Sequence, residues 1–242
     1  MRLAKMIGAA GYCSRRQASR LIDAGRVEVN DNIAQHLTFV DPSDEIRVDG
    51  KQIDVFSEKH YVVYHKPVGI DCNLNVDDPN SLCHVIPTWL PRVFPIGRLD
   101  KDSSGLLLLT NDGELTNRLL HPAFKQEKCY EVIVKPSFHN RSTNNLTLNT
   151  AFVSNMNQPI IIKGKQTSAC EIKLLDELSF NITLTQGLNR QIRRMCSNLG
   201  FYVTHLKRIS LANITLSELA VGDFRSLNAD EIADLIALTN RA

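Results

Sequence analysis

The chain has 242 residues, of which 43% are apolar and 22% are charged. Because domains cluster at roughly 100 to 150 residues, this length predicts two domains rather than one. No window reaches the run of about 18 apolar residues that a membrane-spanning helix needs, and the N-terminus lacks the apolar stretch of a secretory signal. We therefore expect a soluble protein of the cytoplasm.

Charge is unevenly distributed, although the net charge is only +2. Residues 1–26 hold six basic side chains against one acidic side chain, Asp23, and residues 186–217 hold five basic side chains and no acidic one. A solvated surface usually mixes the two signs, so two unmixed basic patches favour two contacts with one polyanion. The first patch contains Arg2, Lys5, Arg15, Arg16, Arg20 and Arg26, and the second contains Arg190, Arg193, Arg194, Lys207 and Arg208.

Six cysteines are spread along the chain without a Cys-x-x-Cys pair or a histidine at metal-ligand spacing. They are Cys13, Cys72, Cys83, Cys129, Cys170 and Cys196. This distribution favours reduced thiols in or near a core over a metal site. No glycine-rich phosphate loop is present either, so we expect no metal and no cofactor.

The first 54 residues predict a small domain of their own. Apolar residues recur at helical spacing over 3–7 and 15–24, with Ser14 placed to cap the second helix and Gly25 placed to end it. A tight hairpin follows around Asn30-Asp31-Asn32, and 45–53 reads as strand, turn and strand. The polar run that follows predicts a linker at 55–59 and a second domain at 60–242.

The second domain mixes strands and helices. Strands are predicted at 61–64, 106–109, 130–134, 169–174 and 180–185, and helices at 114–120, 190–199 and 229–238. The elements interleave without regular βαβ spacing. This order favours an α+β fold with a mixed sheet over a doubly wound one.

A polar loop, 97–105, leads directly into the buried run Leu106-Leu107-Leu108-Leu109. A carboxylate at the edge of a core loses hydration, so Asp100 is expected to be paired or used in chemistry. A purely structural role remains open, because Asp102 or Ser103 can hydrogen-bond within its own turn.

A predicted helix near the C-terminus offers a partner for this carboxylate. With Asn189 as its cap, Ile192, Met195 and Cys196 fall on one face. Arg193 lies about 100° from Ile192, at the rim of that face. We therefore expect Arg193 to reach inward and pair with Asp100, and Arg190 and Arg194 to point away. A structural salt bridge without chemistry would have the same spacing.

Four motifs in the second domain resemble those of RNA pseudouridine synthases, and together they cover most of residues 60–225. They are His65-Lys66-Pro67-Val68-Gly69, Gly97-Arg98-Leu99-Asp100 with Ser103-Ser104-Gly105-Leu106-Leu107, Lys128-x-Tyr130-x-Val132, and Gln186-Gly187-Leu188-Asn189-Arg190-Gln191-Ile192-Arg193-Arg194-Met195. The resemblance implies that Asp100 is the catalytic aspartate, Tyr130 the active-site tyrosine and Arg193 the arginine that pairs with the aspartate.

The N-terminal part resembles the S4 RNA-binding domain through Gly11-x-Cys13-Ser14-Arg15-Arg16 and the residues that follow as far as Asn30. An S4 domain joined to this catalytic domain is similar to the RsuA, RluB and RluF ribosomal branch, and most like its RluF type. One departure is Ala4, where S4 domains usually have aspartate. The resemblance implies a substrate in 23S ribosomal RNA, with 16S ribosomal RNA and transfer RNA stem-loops as alternatives.

The implied reaction cuts the glycosidic bond of a uridine, rotates the base and rejoins it through carbon. The uridine must first leave its stack. We expect Tyr130 to stack on the uracil and Arg98 to fill the vacated position, while Ile192 and Met195 wall the pocket. Lys66, Arg98, Arg190 and Arg194 join the N-terminal patch as RNA-binding residues, and a monomer is expected.

Two other classes of protein are alternatives to this enzyme. A non-catalytic RNA-binding or ribosome-assembly factor would have lost the aspartate, the tyrosine or the arginine, and all three are present. A serine hydrolase using Ser103 or Ser104 lacks a Gly-x-Ser-x-Gly elbow and a histidine partner.

Overall fold

The structure is a computed structural model that describes residues 1–54, 58–137 and 146–239. The described helices are α1 (Leu3–Ala9), α2 (Arg15–Asp23), α3 (Gly113–Leu120), α4 (Thr150–Met156), α5 (Gln191–Asn198) and α6 (Ala229–Leu238). The described strands are β1 (Val27–Val29), β2 (Asn32–Ile33), β3 (Ile46–Val48), β4 (Lys51–Gln52), β5 (Tyr61–Lys66), β6 (Phe94–Pro95), β7 (Ser104–Thr110), β8 (Lys128–Pro136), β9 (Ile161–Ile162), β10 (Lys165–Gln166), β11 (Glu171–Leu174), β12 (Ser179–Leu184), β13 (Phe201–Leu211), β14 (Ile214–Thr215) and β15 (Phe224–Ser226). Within these ranges no helix is long and apolar enough to cross a membrane.

The chain divides into two compact units. The first consists of Met1–Tyr61, Ile86–Phe94 and Leu109–Glu114, and the remaining segments form the second. The predicted linker at 55–59 falls partly on residues 55–57, which lie outside the described residues. The domain limits drawn from the sequence therefore stay a prediction.

The N-terminal residues form two helices on a small antiparallel sheet. The sheet has the order β2-β1-β3-β4, and α1 and α2 close a core with it that includes Leu3, Ile22 and Val48. Ser14 caps α2 as predicted, because its side chain accepts a hydrogen bond from the Gln17 N–H at 3.2 Å. The sequence patterns of α2 and of the hairpin therefore predicted this part correctly.

A nine-stranded mixed sheet organises the rest of the chain. Seven strands follow the order β11-β12-β8-β13-β7-β5-β15, while β14 pairs with β13 and β6 pairs with β7. Strand β13 lies near the middle, antiparallel to β8 and parallel to β7. Helices α4 and α5 cover the β12-β8-β13 part and bury Phe152, Ile192 and Phe201 with it. The predicted α+β class is confirmed.

Of the elements that the sequence patterns missed in the second domain, strand β13 and helix α4 are the longest. Strand β13 is the longest described strand, but register shifts between Val203 and His205 and between Arg208 and Ser210 interrupt its alternation. Helix α4 has seven residues and is capped by Asn149, whose side chain accepts from the Phe152 N–H at 3.0 Å. A helix this short gives little periodicity, so its cap was the stronger signal.

Candidate active site

A cavity of about 720 Å³ opens where the polar loop 97–103 faces the N-terminal end of α5. Arg98, Asp100, Tyr130, Arg190 and Ile192 line it, so five of the predicted site residues come together. Its volume falls within the range of small-molecule pockets, about 300 to 1,000 Å³. The cavity can therefore hold a single nucleoside.

The backbone on both sides of Asp100 is held by one neighbouring turn. The Leu99 N–H donates to the Cys72 Sγ at 3.4 Å, and the Gly69 N–H donates to the Lys101 carbonyl at 2.8 Å. The Ser103 N–H closes the loop on the Asp100 carbonyl at 3.0 Å. These contacts fix the position of Asp100, whose side chain is 32% exposed toward the cavity.

The glycine that follows the loop is required by the sheet. Gly105 lies on β7 with φ of +105°, and a Cβ there would stand 2.3 Å from the Arg208 carbonyl oxygen on β13. No other residue fits this close approach of two parallel strands. The glycine of the motif is therefore explained by packing.

Asp102 forms the tight ion pair of the loop. Arg190 donates from Nη1 to Oδ1 at 3.0 Å and from Nη2 to Oδ2 at 2.8 Å. These hydrogen bonds hold the pKa of the Asp102 carboxyl below its usual value, with the nearby charge of Arg193 adding to the effect. Arg190 Nη1 also lies 3.9 Å from Asp100 Oδ2, so one guanidinium serves two carboxylates.

The predicted pairing of Arg193 with Asp100 is wrong in this structure. Arg193 does reach inward, with a side chain only 11% exposed. Its Nη1 donates to the Val203 carbonyl at 3.0 Å, and its Nη2 donates to the Asp102 carbonyl at 2.7 Å and the Ser103 hydroxyl at 3.3 Å. Arg193 therefore ties α5 to β13 and to the loop backbone, and it does not line the cavity.

The helical wheel failed for Arg190 because Arg190 lies outside the helix. It is the N-cap of α5, with φ of +52° and ψ of 36°, and the predicted cap Asn189 lies one residue earlier. A left-handed residue does not continue the 100° rotation of the helix. Its side chain consequently turns to the loop, while Arg194 is exposed, as predicted.

Two further assignments need correction. Lys66 was expected to bind RNA, but it is 0% exposed, and its ammonium donates to the Pro67 carbonyl at 2.8 Å and the Ile70 carbonyl at 2.7 Å. Burial lowers the pKa of this ammonium. Met195 was expected to wall the pocket, but its side chain packs into the core on the buried face of α5 and does not line the cavity. Ile192 does line it.

The N-terminal basic residues differ in their surroundings. Arg2, Arg15, Arg16 and Arg20 are exposed. Arg26 is exposed as well, but its guanidinium is held by Asp49 through two hydrogen bonds of 2.6 Å. Lys5 is partly buried and pairs with Glu114 at 2.7 Å. The exposed arginines of α2 are therefore the part of this patch that is open to a polyanion.

Sequence reasoning named Arg208 only as a member of the second basic patch and Gln191 only as part of a motif, and it assigned neither residue a role at the site. Arg208 is buried on β13, and its Nε donates to the Leu106 carbonyl at 2.7 Å. Arg208 lies two residues after the buried Leu206, on the same face of β13, and this alternation could have marked it as buried had the strand been predicted. Gln191 follows Arg190 as the first residue of α5, and it lines the cavity although it is buried.

Comparison with known proteins assigns this architecture to a family. The family model for RNA pseudouridylate synthase matches residues 60–198, and the model for the S4 domain matches residues 1–46. The first match covers more than half of the chain. The chain therefore belongs to the RNA pseudouridylate synthase family and carries an N-terminal S4 domain.

Individual relatives resemble the chain over nearly its full length. The dual-specificity RNA pseudouridine synthase RluF of Escherichia coli K12 is 39% identical, over 98% of this chain and 79% of the relative. The ribosomal large subunit pseudouridine synthase B of Bacillus subtilis is 36% identical, over 99% of this chain and 97% of the relative. A crystal structure of a pseudouridylate synthase has a TM-score of 0.68 and 28% identity, covering 97% and 99% of the two chains.

Proposed function

We propose that this pseudouridine synthase converts specific uridines of large-subunit (23S) ribosomal RNA to pseudouridine, with Asp100 as its catalytic carboxylate. One observation carries the assignment of Asp100. Only two acidic residues of the described chain line the cavity, Asp71 and Asp100. Asp71 accepts a hydrogen bond from the Asn73 N–H at 3.1 Å and so belongs to its own turn. Asp100 has instead a guanidinium 3.9 Å away.

The reaction needs an ionised carboxylate next to the sugar of an extruded uridine. The glycosidic C–N bond breaks, the uracil turns within the cavity, and a C–C bond to the same sugar forms with loss of the C5 proton to the released N1. The atoms balance without a co-reactant. Asp100 acts as nucleophile or base at the sugar, and the guanidinium of Arg190 lies 3.9 Å from its carboxylate.

The other cavity residues take supporting roles. Tyr130 stacks on the uracil, and Ile192 forms an apolar wall. Arg98 is exposed at the cavity and is placed to enter the position that the uridine leaves. Arg193 is a positioning residue, because it holds the loop by the Asp102 carbonyl and the Ser103 hydroxyl. Catalysis requires no metal or cofactor.

Ribosomal RNA is the proposed substrate because of the relatives and the S4 domain. One relative is named for the ribosomal large subunit and another for dual specificity. A transfer RNA stem-loop and 16S ribosomal RNA are the alternative substrates. In this proposal the S4 domain spans 1–54, followed by a linker at 55–59 and the catalytic domain at 60–242. Arg2, Arg15, Arg16, Arg20 and Arg194 bind phosphates, with Lys5, Arg26 and Arg190 contributing once their ion pairs open. The enzyme acts as a monomer in the cytoplasm.

The decisive experiment compares the two carboxylates of the cavity. Asp100→Asn is nearly isosteric, so it keeps the volume of the loop while it removes the charge and the nucleophilic oxygen pair. Pseudouridine should be undetectable by nucleoside mass spectrometry after incubation with unmodified ribosomal RNA, although the RNA still binds. Asp71→Asn, the matched control, should keep substantial activity. A folded Asp100→Asn enzyme with near wild-type turnover would show that another group performs the chemistry.

A further inference from the structure

Gln191 is the first residue of α5, and its side chain is 4% exposed at the wall of the cavity. A reciprocal pair of hydrogen bonds fixes it. The Leu188 N–H donates to the Gln191 Oε1 at 3.1 Å, and the Gln191 N–H donates to the Leu188 carbonyl at 3.1 Å. Because a backbone N–H can only bond to the oxygen end of the amide, the orientation of the carboxamide is determined.

The other end of this carboxamide has no partner. Gln191 Nε2 is buried and makes no hydrogen bond within the described residues. Four buried side-chain atoms of the described residues lack a hydrogen-bond partner, one each on Asn181, Gln191, Arg193 and Arg208. Of these four residues, only Gln191 lines the cavity. Buried donors are rarely left unpaired because they lose their bonds to water.

A second glutamine of the cavity provides the contrast. Gln186 also lines it, but its Oε1 accepts from the Ser168 N–H at 2.8 Å and its Nε2 donates to the Gln166 carbonyl at 3.2 Å. The protein therefore satisfies both ends of Gln186 and one end of Gln191. Gln191 Nε2 is therefore the donor of these two carboxamides that has no acceptor within the described residues.

We propose that Gln191 Nε2 donates a hydrogen bond to the C4 carbonyl of the extruded uracil and thereby selects uridine over cytidine. The inference rests on the proposed function and adds the residue that reads the base. Uracil carries an acceptor at C4 where cytosine carries an amino donor, whereas both bases share the C2 carbonyl. Cytosine would place two donors against each other and leave both unpaired, which a buried site strongly rejects.

The test with the unaltered enzyme uses thio-substituted RNA. A stem-loop of large-subunit ribosomal RNA with one mapped target uridine is made with uridine, 4-thiouridine or 2-thiouridine at the target. Sulfur is a weak acceptor, so the single-turnover rate should fall about 10-fold or more for 4-thiouridine and much less for 2-thiouridine. Equal rates for the uridine and 4-thiouridine RNAs would overturn the proposal. An inactive wild-type enzyme on uridine RNA would instead overturn the proposed function.

The test with variants replaces the hydrogen-bond donor of Gln191 by an acceptor. Gln191→Glu keeps an oxygen for the Leu188 N–H but places an acceptor where Nε2 was. In an Asp100→Asn background, which prevents turnover, the ratio of affinities for uridine over cytidine RNA should fall by about 10-fold to 100-fold. Gln186→Glu adds the same charge at the same cavity and should keep the wild-type ratio. An unchanged ratio in Gln191→Glu would also overturn the proposal.

Discussion

The basic side chains of helix α2 are exposed, whereas two basic side chains of the second unit, Lys66 and Arg208, are buried. Arg15, Arg16 and Arg20 are exposed on α2, and none makes an ion pair within the described residues. Lys66 and Arg208, in contrast, are buried and donate to backbone carbonyls at 2.7 to 2.8 Å. The first group is available to a phosphate, and the second group is not.

A count of basic residues in the sequence is therefore not enough to locate an RNA contact. A buried cation costs much of its hydration, and only bonds to carbonyls or carboxylates offset the loss. Such a residue holds backbone segments together, so its removal should lower the free energy of unfolding. An exposed cation makes no such contribution, and its removal should lower RNA affinity alone.

Two adjacent arginines of α5 test this distinction with the largest expected effect. Arg193→Ala removes three hydrogen bonds from a side chain that is 11% exposed. We expect the free energy of unfolding to fall by about 3 kcal/mol. The single-turnover rate should fall at least about 100-fold because the loop that carries Asp100 loses its anchor.

Arg194→Ala is the matched control on the same helix. Because Arg194 is exposed, its loss should change the free energy of unfolding by less than about 0.5 kcal/mol and should mainly weaken RNA binding. Denaturant unfolding and single-turnover assays measure both quantities. Similar losses of unfolding free energy from Arg193→Ala and Arg194→Ala would contradict the prediction that the buried Arg193 stabilises the fold and the exposed Arg194 does not.

Local patterns were sufficient where the structure is local. Helix α6 was predicted at 229–238 and is found at Ala229–Leu238, where Asn228 and Glu231 form a capping box. The run of four leucines predicted the buried strand β7, and the polar loop before it predicted that Asp100 stands at the edge of a core. The position of Asp100 at a cavity followed from this arrangement.

The partner of Asp100 could not be predicted because it depends on one backbone conformation. The spacing placed Arg193 inward correctly, but its bonds go to the carbonyls of Val203 and Asp102. Arg190 approaches Asp100 because its φ is +52°, which no periodicity reveals. The burial of Lys66 depends on two carbonyls of the turn that follows it, and a motif of charged residues does not show that turn.

The second prediction concerns the exposed arginines of α2. The double variant Arg15→Ala, Arg16→Ala removes two exposed cations from α2 without removing a hydrogen bond to the protein within the described residues. Each lost phosphate contact should reduce the slope of log affinity against log salt by about 0.7 to 0.9. The loss of affinity between 50 and 200 mM salt should thus become about 10-fold smaller. An unchanged slope would place the RNA elsewhere.

The last prediction concerns Lys128, whose burial is intermediate between that of the exposed arginines of α2 and that of the buried Lys66 and Arg208. It is partly buried on β8, and its ammonium donates to the Gln126 carbonyl at 2.7 Å. Burial, assisted by the positive charge of Arg208, lowers the pKa of Lys128 from 10.5 to about 8. The unfolded chain therefore binds this proton more tightly than the folded chain. Between about pH 8 and 10.5 the unfolded state carries more protons, so this residue makes the protein more stable as the pH rises.

Lys128→Met retains the apolar length of the side chain but removes the titrating group. The difference in unfolding free energy between wild type and Lys128→Met should shift in favour of wild type by about 1 kcal/mol from pH 8 to pH 10, after allowance for solvent near a partly exposed group. Denaturant melts of both proteins at each pH measure this difference, and subtraction cancels all other titrating groups. A difference that stays constant over this range would mean that Lys128 keeps an ordinary pKa and behaves as an exposed cation.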